Sequence, residues 1–233
     1  MKKLFVVFGF VFSLFLLTSC TNDDGGSREP YPIGGITMVN GYAGSPAVWY
    51  VVDGRLVQAP YYGLAFKKYD FTRLFVGNRL IEVKANQKEQ LVENTRLQVK
   101  DNQSYTSFVG GNAKDNAIHF ITEDHAISLG EQGNIENAGI RFFNLTGEDL
   151  AVDVKLDDQI IFANRNSETE LSAKENEKFI AQLGKSYTLT VQDKNGKEIV
   201  KRERVLLEKG RYFSLILVGS SSVNEPYYLG IVK

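Results

Sequence analysis

Apolar and polar residues alternate along short stretches of this chain, and one such stretch occurs twice. Ile36 to Ala59, ITMVNGYAGSPAVWYVVDGRLVQA, returns without a gap as Ile140 to Ala163, IRFFNLTGEDLAVDVKLDDQIIFA. Ile36/Ile140, Asn40/Asn144, Ala47/Ala151, Val48/Val152, Asp53/Asp157 and Ala59/Ala163 are identical pairs, and most other apolar positions keep their character. Chance spacing of apolar residues does not give this, so the chain holds two copies of one module.

Within each copy the two-residue period predicts short strands separated by turn residues. In the first these are Ile36 to Asn40, Ala47 to Asp53, Arg55 to Ala59, Phe66 to Phe71, Arg79 to Lys84, Leu91 to Lys100, Ser104 to Val109 and Ala117 to Thr122. Asp53-Gly54 has the residue types of a tight hairpin turn, whose central positions need positive φ. The second copy repeats the order from Gly139 to Asn144 through to Tyr227 to Val232, and Asn195-Gly196 marks another hairpin. Later correspondences are Gly77 with Gly184, and Tyr105-Thr106-Ser107-Phe108 with Tyr212-Phe213-Ser214-Leu215. These glycines read as strand openers and the tyrosines as core anchors. With no helical periodicity in the first copy and the same order in the second, the fold class is all-β: two tandem antiparallel β-sandwiches (immunoglobulin-like or transthyretin-like) of immunoglobulin-like size. They occupy residues 36–122 and 138–233. Residues 123–137, EDHAISLGEQGNIEN, are polar with two glycines and read as a linker, so the copies are expected to fold as separate units that proteases part at that link.

The N-terminus differs in kind. Lys2 and Lys3 precede an apolar run, Leu4 to Leu17, which is too short to span a bilayer and suits a signal segment over residues 1–19. It ends at Leu17-Thr18-Ser19-Cys20, which looks like the lipobox of bacterial lipoproteins; Cys20, the only cysteine, is then the lipidation site. Residues 20–35 are polar and glycine-rich and form a tether. Acidic residues so close to the cysteine resemble the surface-export signal of lipoproteins from the Bacteroidota, which implies a lipid anchor in the outer membrane or at the cell surface.

A strand ending in Asn, a loop with Pro46, an alternating strand into Asp53-Gly54 and a later Gly-led strand, duplicated behind a lipobox, resemble a family of unknown function. That family comprises immunoglobulin-like or transthyretin-like sandwich repeats in cell-envelope lipoproteins. The resemblance implies no enzymatic activity and transfers no site residues. The second copy departs from it, with Asp157-Asp158 for Asp-Gly and Leu150 for Pro46.

Charge and chemistry narrow the function further. With 27 basic against 28 acidic side chains, interspersed rather than blocked, nucleic acid is not an expected partner. His119 and His125 are the only histidines, and flank Glu123 and Asp124; a metal there needs ligands converging from a strand end and a linker, and the plainer reading is a solvated strand end. No nucleophile elbow, zinc helix, P-loop or dinucleotide fingerprint occurs. No cofactor, metal or catalytic residue is expected, and the chain reads as a non-enzyme.

One asymmetry stands out. If Val48, Tyr50 and Val52 face the core, as Val152, Val154 and Leu156 do in the copy, then Ala47, Trp49 and Val51 face outward. The second copy carries Ala151, Asp153 and Lys155 there. Trp49 therefore stands where its sibling has charge. Together with Tyr61 and Tyr62 in the next loop it is the candidate contact with a protein or a glycan, unless the linker or the second copy covers it.

Overall fold

The computed structural model describes residues 31–58, 62–86, 88–131, 134–221 and 225–233. The signal segment, Cys20 and Tyr61 lie outside the described residues. The first copy runs β1 (Ile33–Asn40), β2 (Ala47–Val52), β3 (Arg55–Leu56), β4 (Leu64–Ala65), β5 (Tyr69–Phe75), β6 (Gly77–Ala85), β7 (Glu89–Val99), β8 (Ser104–Gly110) and β9 (Ile118–Glu123). In the link, β10 (Gly130–Glu131) pairs antiparallel with β11 (Asn134–Ile135). The second copy runs β12 (Asn137–Asn144), β13 (Val152–Leu156), β14 (Gln159–Arg165), helix α1 (Glu170–Asn176), β15 (Ile180–Leu183), β16 (Ser186–Asp193), β17 (Glu198–Leu206), β18 (Tyr212–Val218) and β19 (Tyr228–Val232).

These strands form two sandwiches with matching topology. An outer sheet of the first copy, β3-β2-β6-β7 with β4 also on β2, faces an inner sheet, β5-β1-β8-β9; the second copy has β14-β13-β16-β17 facing β15-β12-β18-β19. Each inner sheet contains one parallel ladder, β1 with β8 and β12 with β18, within otherwise antiparallel pairing. The chain passes through the outer sheet between those two strands, which supplies the long crossover a parallel pair needs.

Two identical residue pairs explain why the opening stretch repeats. Asn40 and Asn144 are buried at the ends of β1 and β12. Their side-chain amides donate to Leu64 O at 2.8 Å and to Leu150 O and Arg165 O at 2.8 and 3.2 Å. Their Oδ1 atoms accept from the N–H two residues on, at Tyr42 and Thr146. Each asparagine thus satisfies the polar groups of a buried loop and ties it to the sandwich. Asp53 and Asp157 sit at φ 50° and 52° after β2 and β13, accepting from Leu80 N and Thr188 N at 2.9 and 3.0 Å. Those backbone bonds are the largest cause holding both carboxyls below their ordinary range.

Beyond this stretch the copies drift. Leu80 of the first copy stands where Thr188 stands in the second, because the second inserts α1. Ile36 pairs with Tyr105 but Ile140 pairs with Phe213, so the matching of Tyr105 with Tyr212 is one residue out of step. Tyr105 does anchor its core. Tyr212 lies on the opposite face, and its hydroxyl sits 3.0 Å from Ile127 N, holding the link. The fold is all-β as expected, and the short helix fills the stretch between two expected strands: Thr169 caps it by accepting from Ser172 N, and Ser172 Oγ accepts from Thr169 N.

The copies also share a core. Val39, Phe108 and Phe120 on the outward face of the first inner sheet pack against Phe143, Leu145, Ile216, Val218 and Val232 of the second, with Ala173 of α1. Residues 32–233 accordingly form a single compact unit. The two inner sheets stack face to face, which makes four layers, and the link is fastened rather than loose.

Candidate functional site

The strand register places Trp49 where the sequence does, with Val48, Tyr50 and Val52 in the first core cluster and Trp49 outside it. Trp49 nevertheless has only 8% of its surface exposed. Gly63 lies against the indole: a Cβ there would come within 2.7 Å of it, and Gly63 holds φ +45°. The backbone passes that closely only because the residue is glycine. Tyr62, by contrast, is 81% exposed. Trp49 and Tyr62 therefore do not form one open ring platform, and the tryptophan's surface is spent on its own loop.

His119 is half-buried between the sheets, with Thr95 Oγ1 3.3 Å from Nδ1 and Ser107 Oγ 2.9 Å from Nε2. Ser107 also reaches the Tyr50 hydroxyl at 3.4 Å. A serine beside a histidine is half of a nucleophilic pair, but Ser107 is fully buried and a threonine, not a carboxylate, meets the second ring nitrogen. These groups form a closed polar bridge through the first core. Burial pushes the His119 pKa down from 6.5 to about 4. The unfolded chain then takes up a proton near pH 6.5 and the folded one only near 4, so stability is full above the first value and lost as pH falls toward the second. We expect His119→Gln to remove about 2–3 kcal/mol of acid sensitivity between pH 6.5 and 4. Urea unfolding at both pH values reads this, and parallel losses in protein and variant would assign the titration elsewhere. His125 is exposed at the start of the link, 3.9 Å from Glu123. Among the described residues no three His, Cys, Asp or Glu side chains converge on a metal position, and no helix is long and apolar enough to cross a membrane.

The junction of the copies holds a residue that sequence reading passed over. The Arg141 side chain is 1% exposed. Its Nη2 donates to Asp124 Oδ1 at 2.7 Å, Nε to Ser214 Oγ at 2.8 Å and Nη1 to Glu177 O at 3.1 Å. The guanidinium lies 4.3 Å from the Phe179 ring centre. Asp124 also accepts from Thr106 and Thr122 at 2.6 and 3.0 Å, so it binds the end of β9 to β12. The signal was an arginine inside IRFFN, an otherwise apolar strand that carries Thr37 in the sibling.

Strand β5 holds the other missed surface. The expected strand Phe66 to Phe71 begins too early; residues 66–68 form a turn, and the strand is Tyr69–Phe75. Tyr69, Phe71, Arg73 and Phe75 then share one face, and the three rings are 42%, 56% and 61% exposed. Thr72 and Leu74 face inward. Among the described residues β5 pairs only with β1 and is an edge strand. Asn40 N donates to Lys68 O and Val76 N to Pro32 O, so alternation turns the peptide groups of 69, 71, 73 and 75 to the free edge. That edge is partly capped: Phe71 N donates to Asp70 Oδ1 at 2.8 Å, and Phe75 O accepts from Arg79 Nε at 3.0 Å. Such capping blunts strand addition and leaves side chains as the means of contact.

Comparison with known proteins bears on family rather than activity. No curated protein sequence matches the chain. Nine solved chains show similarity. One is the CBMbc module, family CBM26, of Eubacterium rectale Amy13K in complex with maltoheptaose. It is 9% identical over 86% of this chain and 96% of its own, with a TM-score of 0.26, too low to bear on function. A family model matches residues 34–155, running through the first sandwich and the link into β13, and by that match the chain belongs to the family described as Domain of unknown function (DUF4397).

Proposed function

We propose that this is a lipid-anchored envelope protein whose sandwiches form a non-catalytic protein-interaction module, with β5 as its contact surface. One observation carries the reading: Tyr69, Phe71 and Phe75 expose their rings beside Arg73 along a single strand face. Tyrosine, phenylalanine and arginine are the residue types enriched at protein interfaces, where the rigid rings desolvate much area at small entropic cost and arginine adds planar hydrogen-bond donors. A neutral glycan fits this strip less well. Two of the three rings are phenylalanines with no polar atom, whereas sugar hydroxyls need hydrogen-bond partners. The anchor rests on the lipobox-like run before Cys20; fatty-acid labelling should appear in the protein and vanish in Cys20→Ala.

The contact surface is tested by a photoreactive amino acid placed at position 71 and, as control, at the exposed turn residue Lys194, in the intact envelope. Position 71 should give one discrete protein adduct, suppressed by Phe75→Glu. Adducts no more abundant than at position 194, or unaffected by Phe75→Glu, would remove the proposed surface.

A further inference from the structure

A second surface lies on the far side of Tyr69, where the two copies meet. A groove of about 440 Å³ runs between the 67–69 segment, β17 and β19, floored by Val39, Ile216 and Val232. Its walls carry Lys67, Lys68, Arg202, Arg204 and Lys233 against two carboxylates, Glu203 and Glu208. In a chain of nearly balanced charge this is a marked local excess of cations.

Three of the cations are held in place. Lys67 bonds Glu225 at 2.9 Å and lies 5.3 Å from the Tyr228 ring centre; Arg202 lies 5.4 Å from the same centre and donates to Leu229 O at 2.8 Å; Lys233 bonds Glu208. The side chains of Lys68 and Arg204 have no hydrogen-bond or ion-pair partner among the described residues. Arg204 is unusual in another way, with φ +57° inside β17. Leu189 pairs with Arg202 while Tyr187 pairs with Val205, so residues 203 and 204 bulge opposite Thr188 alone. The corresponding strand of the first copy places Asn94 at φ 57°, a residue type enriched in this region, where arginine is uncommon. Bulges re-aim side chains, and backbone strain retained at one points to a use for the residue it presents.

The repeat explains why the groove is open. In the second copy α1 packs against β9 and β12. Against the equivalent strands, β19 and β1, the short turn at 66–68 stands in its place, with Phe66 packed near Val39 and Tyr228, and the groove lies beside that turn.

We infer that this groove binds an acidic oligosaccharide, with Arg204 and Lys68 meeting its carboxylate or sulfate groups. The mixed walls favour a sugar acid over a bare phosphate or a lipid headgroup: Glu203 can accept from hydroxyls, and the exposed Tyr69 ring suits the apolar face of a sugar ring. The volume falls in the usual range of ligand sites and admits a short oligosaccharide. This site stands apart from the β5 reading except for Tyr69, so the test uses Arg204.

Titration calorimetry of the full chain with trigalacturonate, a heparin-derived tetrasaccharide and neutral maltotriose provides the test. Binding of an acidic probe, weakening as salt rises from about 20 to about 300 mM and at least about tenfold weaker in Arg204→Gly, is the expected result. Glycine is at ease at φ +57°, so Arg204→Gly should melt no lower than the original protein, which separates lost binding from lost fold. Lys68→Ala should weaken binding in the same direction. Equal affinity for maltotriose, or affinity unchanged by Arg204→Gly, overturns the site. So does failure of both acidic probes, whether or not the chain prefers phosphatidylglycerol over phosphatidylcholine vesicles in an Arg204-dependent way; that preference would assign the groove to lipid headgroups.

Discussion

Asp124→Ala should destabilise the protein by about 3–5 kcal/mol, because it leaves the Arg141 guanidinium buried without its counter-charge. Burial already pushes Arg141 below its ordinary value, and Asp124 is the main group opposing that push. The substitution also strips the Thr106 hydroxyl of its acceptor and leaves the Thr122 hydroxyl with only the Thr106 carbonyl at 3.3 Å. Coulombic attraction alone does not set the size of the loss, since forming the pair cost the desolvation of both groups; what is measured is a charge with nowhere to go. The double variant Asp124→Val with Arg141→Met should therefore recover most of it, because an apolar pair asks for no compensation. Denaturant unfolding of the four proteins forms the cycle. A loss below about 1 kcal/mol in Asp124→Ala would show that water, not Asp124, satisfies Arg141.

Such a clasp was only half visible in the sequence, and the reason is the same elsewhere in the chain. Alternation reports which residues of a strand share a face, so Val48, Tyr50 and Val52 were legible as core and Trp49 as outside it. It does not report what lies beyond that face. Trp49 is covered by the backbone at Gly63, a contact between a strand and a loop that no period encodes. Arg141, Phe143 and Phe108 were equally outward by period, and their partner is the other copy. The identical Asn and Asp pairs were legible because they do the same backbone work twice. The drift after them was not, since α1 lengthens one connection and moves every later match; the one-residue error at Tyr212 follows from that. The β5 stripe was lost to a start assigned at Phe66, where the chain is still turning. Two signals were available: Thr169 with Ser172 as a reciprocal cap, and an arginine in the middle of IRFFN.

Phe143→Ala should cost about 3–5 kcal/mol and, unlike a substitution inside either sandwich, should split unfolding into two transitions. Phe143 is fully buried, yet it faces away from its own sandwich, whose core takes Phe142 and Ile140. Its ring centre lies 4.9 Å from that of Phe108 and 5.1 Å from that of Phe120, and those two are 5.2 Å apart. Two of the three rings thus come from the first copy. The cavity left by truncation opens at the junction, where the lost area belongs to both copies, while the two separate core clusters keep their packing. The sequence alone argued for independent modules parted first at residues 123–137. Shared packing argues that the original protein unfolds as one unit, with that link protected by Asp124 at its start and by the Tyr212 hydroxyl at Ile127. Calorimetry should show one transition for the original protein and two for Phe143→Ala, and proteases should cut within 123–137 early only in the variant. Two transitions in the original protein, or early cleavage of its link, would mean that the ring cluster closes a surface without coupling the copies.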